Sequence, residues 1–377
     1  MIELKKKTKV RKLNLDIHKR IIFVSDIHGD ISSFKDGLNK VGFSKDDYLF
    51  IIGDIIEKGE LGKNIETLRY VMELSKMPNV YPMSGNCDEV FRFILPEDQN
   101  QKLLKYINEK KRSILTDIAI ENNFPISYDM DVNKFKEMIM DKYKEFYDFI
   151  DSLDDLIIIN NEIVLVHGGI DDINNIPEYA ISLLKYDNYY ELAKPQKYIT
   201  IVGHYPTRNY RKDISNCNPI FDFRKRIISI DGGNHIVKGG QLNFVILESL
   251  ASMSFRFTYT DHYEKYIMKK DAIYDKPSTL INLTYQDNEI EILDTDLDYY
   301  FVRHIRTNTE MWVHSSFVYK DETNNKYYSY DATNQFLSVR SGDTISIIKR
   351  GLPYSVIKHD GNIGLIDTKY ITDDIQI

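Results

Sequence analysis

Five short apolar runs in this chain each lead directly into a residue that can hold a hard metal ion. Ile21 to Val24 precedes Ser25-Asp26-Ile27-His28-Gly29-Asp30, and Leu49 to Ile52 precedes Gly53-Asp54. Ile163 to Val166 precedes His167-Gly168-Gly169, Ile199 to Val202 precedes Gly203-His204, and Ile227 to Ile230 precedes Asp231-Gly232-Gly233. A further segment, Gly85-Asn86, carries the same kind of residue. Runs of four or so β-branched and apolar residues bounded by glycine read as buried strands. Each metal-type residue then sits at the carboxyl end of its strand, where open α/β sheets and sandwiches place their sites. One such strand means nothing, but a series with oxygen and imidazole ligands at their ends is hard to produce by chance.

Two metal ions about 3.5–4 Å apart need a bridging oxygen ligand and terminal His, Asp and Asn ligands. The sequence supplies that inventory. Asp26 and His28 are expected to hold one metal, Asp54 to bridge, and Asn86, His167 and His204 to complete the second. Oxygen and imidazole donors suit Mn²⁺, with Fe or Zn²⁺ as alternatives. Taken singly, the neighbours have ordinary roles. Glu57 reads as a solvated loop carboxylate, Cys87 as a small buried apolar residue, and Asp88 as a helix cap.

The order of these motifs resembles that of the calcineurin-like metallophosphoesterases, and within them the PPP branch of serine/threonine protein phosphatases and symmetrical diadenosine tetraphosphate hydrolases. Four segments carry the resemblance: Asp26-Ile27-His28-Gly29, Gly53-Asp54-Ile55-Ile56-Glu57-Lys58-Gly59, Gly85-Asn86-Cys87-Asp88 and Val166-His167-Gly168-Gly169-Ile170. Gly203-His204-Tyr205-Pro206-Thr207, Asp231-Gly232-Gly233 and Gly239-Gly240-Gln241-Leu242 extend it. It implies an α/β fold, a two-sheet β-sandwich flanked by helices, over residues 20–258. It also implies a hydrolase in which a metal-activated water attacks a phosphate ester. A PPP-like protein phosphatase is the first expectation. A nucleotide phosphoanhydride hydrolase of the diadenosine tetraphosphatase kind is the second, and a scaffold with a degenerate catalytic domain the third.

Two motifs depart from the family pattern. Where the family has an Asp-Arg pair, this chain has Glu57-Lys58, and where it has His-Glu, this chain has Cys87-Asp88. The family's proton-donating His and the Asp that orients it are therefore both changed. The resemblance implies Asp26, His28, Asp54 and Asn86 as catalytic through the metals, with Lys58, Asp88 and His235 as further catalytic candidates. His235, just after the Asp231-Gly232-Gly233 turn, is the first substitute for the missing proton donor. Lys58, Asn86 and Arg208 are the expected substrate contacts. Lys58 keeps the charge of the family's Arg but not its bidentate fork.

The rest of the chain divides by pattern. Residues 1–19 read as a basic, solvated arm, from the cluster Lys5 to Lys12. Asn64 to Lys76 has the apolar spacing of a helix following a strand. Strand signals vanish over 89–156, where Asp98 to Arg112 and Val132 to Ile150 read as helices of an insertion. Beyond about residue 260 the chain repeats itself. Gln286 to Leu293 matches Ser341 to Ile348 and Leu297 to His304 matches Leu352 to His359, both at an offset of 55, and Trp312 to Val318 matches Leu365 to Ile371 at 53. Two small tandem β-barrels, at 265–320 and 325–377, are expected. They resemble SH3 domains, although the usual aromatic pair of the peptide groove is Tyr299-Tyr300 in one copy and Tyr354-Ser355 in the other.

Composition narrows the partners. A net charge of −8 disfavours a nucleic-acid partner. No apolar run approaches the roughly 20 residues of a membrane span, and no secretory leader is predicted. Two cysteines build no disulfide framework, which suits a reducing cytoplasm. The expected partners are a phosphorylated protein or nucleotide substrate and a protein docked on the SH3-like repeats.

Overall fold

The computed structural model describes residues 6–93, 99–275 and 279–372. Residues 1–5 of the expected arm, Asp98 at the head of an expected helix, and residues 373–377 of the second repeat lie outside the described residues. The chain forms two compact units, and the cut between them is not single. Met1–Tyr205, Pro219–His235 and Leu242–Thr260 make the first, while Pro206–Asn218, Ile236–Gln241 and Asp261–Ile377 make the second. Two segments expected inside the catalytic domain thus group with the C-terminal strands. Among the described residues no helix is long and apolar enough to cross a membrane.

The strands of the first unit are β1 (Val10–Leu13), β2 (Ile21–Val24), β3 (Tyr48–Ile52), β4 (Val80–Met83), β5 (Leu156–Ile159), β6 (Ile163–Val166), β7 (Ile199–Val202), β8 (Ile220–Asp222), β9 (Ile227–Ser229), β10 (Leu242–Leu247) and β11 (Phe255–Thr260). They build a five-stranded sheet in the order β11-β10-β2-β3-β4 and a six-stranded sheet in the order β1-β5-β6-β7-β9-β8. Each apolar run is continuous because both of its faces are buried. Ile21 and Phe23 of β2, Phe50 and Ile52 of β3, and Ile163 and Leu165 of β6 share one core between the two sheets. The alternate residues Ile22, Val24, Leu49 and Ile51 point the other way, into a helical layer. A side-chain period of two thus turns each apolar run into a two-sided strand.

The helical layer contains α1 (Ile31–Val41), α2 (Asn64–Leu74), α3 (Asn100–Glu109), α4 (Ile114–Glu121), α5 (Val132–Lys142) and α6 (Lys144–Ser152). Two short helices, α7 (Ile181–Leu184) and α8 (Tyr189–Leu192), follow β6. Asp30 caps α1 by accepting the Ser33 N–H at 2.9 Å, and Gly42 ends it at φ 62°. The insertion is an integral part of the layer. Leu103, Ile107, Ile118, Phe135 and Phe146 belong to the same core as Phe34 of α1 and Leu68 of α2. The single helix expected over Val132 to Ile150 is two, because Tyr143 leaves the helical region at φ −130°.

From residue 6 onward the basic N-terminal segment is not a free arm, although Lys7, Arg11 and Lys12 are exposed. Val10 to Leu13 pairs in parallel with Leu156 to Ile159. Lys6 is buried, with its Nζ 2.8 Å from Asp155, 3.3 Å from Glu89 and 3.0 Å from the Ser84 hydroxyl. Two buried carboxylates draw it in, and Glu89 is shared with Arg92.

The second unit carries the repeat. Its strands are β12 (Glu264–Ile267), β13 (Asn282–Leu283), β14 (Glu289–Asp296), β15 (Tyr299–His304), β16 (Thr309–His314), β17 (Val318–Asp321), β18 (Lys326–Ser329), β19 (Ala332–Thr333), β20 (Thr344–Lys349), β21 (Tyr354–His359) and β22 (Asn362–Asp367). Each copy is a three-stranded meander, β14-β15-β16 and β20-β21-β22, closed by one turn of 3-10 helix at Ser315–Phe317 and Thr368–Tyr370. Even the register slips match, between Ile292 and Asp294 in one copy and between Ile347 and Lys349 in the other. The copies are nevertheless not separate in sequence as expected. β12, which precedes the first meander, pairs with β20 of the second, and β18, which precedes the second, pairs with β14 of the first. Val302 and Met311 of the first copy share a core with Val356 and Leu365 of the second.

Removing one partner of a buried ion pair costs about 3–5 kcal/mol, whereas an exposed pair contributes about 0–1. Lys6→Met is therefore expected to lower the denaturation midpoint of the first unit clearly. Lys76→Met, which breaks the exposed pair with Glu73, is expected to leave it unchanged. Chemical denaturation followed by circular dichroism checks both.

Candidate metal centre

The ends of β2, β3, β4, β6, β7 and β9 deliver Asp26 and His28, Asp54, Asn86, His167, His204 and Asp231, respectively. Backbone bonds lock the loops together. Asp26 N–H donates to the Gly53 carbonyl at 3.1 Å, His28 N–H to the Asp54 carbonyl at 3.0 Å, and Gly203 N–H to the His167 carbonyl at 2.9 Å. Asp26, His28, Asp54 and His204 all adopt positive φ, between 51° and 66°. Such strain in non-glycine residues costs about 1–3 kcal/mol each and persists where the surroundings over-determine it. Gly53, at φ 75°, is needed for closeness. A Cβ there would lie 2.6 Å from the Gly85 Cα and 2.7 Å from His167 Nδ1. At Gly85 a Cβ would collide with the Asp54 backbone and carboxylate.

Asp54 is the centre. One carboxylate oxygen accepts the Cys87 N–H at 2.8 Å and lies 3.3 Å from His167 Nε2. The other lies 3.8 Å from His28 Nε2. His167 donates Nδ1–H to the Ile52 carbonyl at 2.9 Å, which turns Nε2 toward Asp54 and toward Asn86 Oδ1 at 3.3 Å. Asp26, Asp54 and His167 bring ligand atoms within 4.8 Å of one another, and so do His28, Asp54 and Cys87. Asp54 belongs to both groups. His28 Nε2 also lies 3.8 Å from Asp26 Oδ1, so the expected neighbours Asp26 and His28 do meet, while Asp26 further groups with His167 and His28 with the Cys87 sulfur. His204 stands edge-on to His167 at 5.3 Å between ring centroids, with its Nε2 2.9 Å from Asp187.

Burial works against every charge here. It pushes Asp26 up to about 6, against the pull of His167 and with help from Asp54. It brings His28 down to about 3, with the positive Lys58 adding to the effect. His204 falls to about 4 through burial and the neighbouring His167. For Asp54 and His167 burial is outweighed by their mutual attraction. Asp54 stays well below the usual carboxylate range, and His167 rises to about 10. The fold has thus built a buried carboxylate that demands a positive charge beside it.

The sequence profile of the calcineurin-like phosphoesterases matches residues 19–227, more than half of the chain. The chain belongs to the calcineurin-like phosphoesterase family. Membership marks it as a metal-dependent phosphoesterase of the hydrolase class. No curated protein is similar enough to count as a relative. Among solved structures it is similar to a proposed diadenosine tetraphosphatase at 17% identity, over 67% of this chain and 98% of that one, with a TM-score of 0.41. It is also similar to a serine/threonine phosphatase from Saccharomyces cerevisiae at 11% identity, over 69% and 86%, with a TM-score of 0.41. A metallophosphoesterase from Sphaerobacter thermophilus is 20% identical, over 65% and 89%, with a TM-score of 0.36.

Members of the family typically bind two divalent ions, and the residues of this phosphoesterase fit them. Asp26 Oδ1 and Asp231 Oδ2 are buried without a hydrogen-bond partner, which suits oxygens that face a cation. Asp54 is common to the two ligand groups, as a bridging carboxylate must be. His28 and His204 are neutral donors, and the proton His167 holds toward Asp54 is one that a divalent ion would displace.

The remaining expected residues are placed differently. Arg208 is fully buried, and its guanidinium is taken up by Asn282 Oδ1 at 3.0–3.1 Å and the Lys238 carbonyl at 2.8 Å. It is a structural residue of the second unit and not a substrate contact. Asp88 accepts the backbone N–H groups of Ile55, Ile56 and Gly85 at 2.8, 3.2 and 2.9 Å. It holds the Asp54 and Asn86 loops in place, and burial with Asp54 nearby pushes it up to about 8. His235 sets its Nε2 3.1 Å from Asp30 and is not among the groups gathered around Asp54. Lys58 is exposed. Desolvation works against its ammonium, but Cys87, Asp54 and Asp26 outweigh it and raise its pKa. Sequence reading missed Cys87 Sγ as a member of the cluster and Asp187 as the partner of His204. Cys87 stands directly after Asn86, which was a usable signal, whereas nothing local marks Asp187.

Asp54→Asn removes the charge on which both groups depend. Metal analysis of the purified variant is expected to find both ions lost, with activity reduced more than about 100-fold. Normal metal content would contradict the shared position of Asp54.

Proposed function

We propose that this chain is a dinuclear metal-dependent phosphoesterase for substrates with a good leaving group, nucleotide-type phosphoanhydrides ahead of phosphoserine or phosphothreonine in proteins. The carrying observation is the missing proton donor. Cys87 occupies the acid's place, and burial with the nearby Asp54 raises its thiol pKa well above the ordinary value. Glu57 cannot orient an acid there, because its carboxylate is engaged by Ser113, Ile114 and Tyr106. A leaving group of low pKa departs without protonation. On this reading the nucleotide hydrolase is favoured over the protein phosphatase expected first from sequence.

Two divalent ions held by Asp26, His28, Asp54, Asn86, His167 and His204 would supply Lewis acidity and a nucleophilic water. Asp54 holds the negative charge that anchors them. Lys58 offers a cation to the phosphate at the exposed edge, and Asn86 offers an amide beside His167. The sulfur of Cys87 joins an otherwise oxygen and imidazole set, which brings Zn²⁺ or iron level with Mn²⁺ as the resident metal. A protein substrate docked on SH3-like repeats has less support. Tyr299 is only 1% exposed, with its hydroxyl on the Tyr354 carbonyl at 2.9 Å, and Ser355 is buried. The expected aromatic pair does not form an open groove. The two free cysteines suit a reducing cytoplasm.

A positioned general acid contributes about 10²–10⁴-fold to rate. The metal-loaded protein is therefore expected to hydrolyse diadenosine tetraphosphate and p-nitrophenyl phosphate at least about 100-fold better, in kcat/KM, than a phosphoserine peptide. Equal efficiency on all three would mean that another residue supplies the proton.

A further inference from the structure

Glu57 and Lys58 are consecutive non-glycine residues in the left-handed region, at φ 75° and 65°. Two such residues cost several kcal/mol together unless something holds them, at about 1–3 each. What holds them comes mostly from the helical insertion. Glu57 is 3% exposed. One of its carboxylate oxygens accepts the Ser113 hydroxyl at 2.9 Å and the Ile114 N–H at 2.8 Å, at the first turn of α4. The other accepts the Tyr106 hydroxyl from α3. The Lys58 N–H donates to the Arg112 carbonyl at 2.9 Å. The Glu57 N–H donates to Asn64 Oδ1 at 2.7 Å, and Asn64 is in turn held by Asp117 of α4 at 2.8 and 3.0 Å.

The loop that leaves Asp54 is thus fastened to α3 and α4 by two buried carboxylates, and it carries the exposed Lys58 four residues beyond Asp54. We propose that Glu57 is a positioning residue: it fixes the Lys58 backbone to the insertion so that the ammonium meets the substrate phosphate. In sequence, Glu57 reads as a solvated loop carboxylate at the position of the family's orienting Asp. The inference rests on the phosphoesterase reading above. It makes the insertion part of phosphate recognition, although the insertion residues named here are bonded to the Glu57–Lys58 loop and not to the metal ligands.

The test is a double-mutant cycle on the full-length, metal-loaded protein. Wild type, Glu57→Gln, Lys58→Met and the double variant are compared for KM and kcat with p-nitrophenyl phosphate, for the Kd of inorganic phosphate, for metal content and for Tm. Glu57→Gln is expected to weaken phosphate binding and raise KM by about tenfold or more at unchanged metal content. In the Lys58→Met background the same change is expected to add nothing to either, whatever it does to Tm. Should Glu57→Gln fail to fold, Tyr106→Phe removes one of the three bonds to that carboxylate and enters the same cycle. Additive effects in an active protein, or a fall in Tm with KM and the phosphate Kd unmoved, would overturn the positioning role alone. A wild type that, with its metals, neither hydrolyses the ester nor binds phosphate would overturn the phosphoesterase reading and this inference with it.

Discussion

One buried carboxylate sets the terms for the rest of the first unit. Asp54 is 1% exposed and ionised. A charge in that position costs several kcal/mol unless it is compensated. The compensation comes from separate strand ends, the Cys87 N–H after β4 and the His167 ring after β6, with the neutral His28 ring after β2 3.8 Å away. Bringing these together forces positive φ on Asp26, His28 and Asp54, and it forbids side chains at Gly53 and Gly85. Asp88 then gathers three backbone N–H groups, so the loops cannot drift apart. The sandwich core beneath, with Phe23, Phe50 and Leu165, gives the strand ends a rigid base.

Chemistry and architecture meet again in the loop after Asp54. A carboxylate that could have oriented an acid beside Cys87 is turned toward α3 and α4 instead. The same bonds hold Lys58 at the exposed edge of the site. On the proposed reading, the chain exchanges assistance to the leaving group for a fixed cation on the phosphate. That exchange suits substrates whose leaving groups need no proton.

Much of this was legible because the governing patterns are local. Runs such as Ile163 to Val166 are apolar on both faces and end in a ligand, so strand and site residue are read together. The repeat was legible for the same reason, since equal spacing survives in the meanders and even in their register slips. What was not legible depends on distant partners. Val10-Arg11-Lys12-Leu13 looks like a basic arm because an edge strand keeps an exposed pattern; only the pairing with Leu156 to Ile159 makes it a strand. Arg208 looks like a phosphate ligand until Asn282, far along the chain, takes its guanidinium. Glu57 looks solvated until Tyr106 and Ser113 close over it. The exchange of β12 and β18 between the two meanders likewise leaves no mark in the spacing.

The central claim is that Asp54 is shared by two metal positions among Asp26, His28 and His167. Anomalous diffraction from crystals of the full-length protein, grown with Mn²⁺ and measured at the metal edge, tests it most directly. The account predicts two peaks per chain about 3.5–4 Å apart, both within bonding distance of the Asp54 carboxylate. A single peak, or a second one that does not touch Asp54, would contradict it.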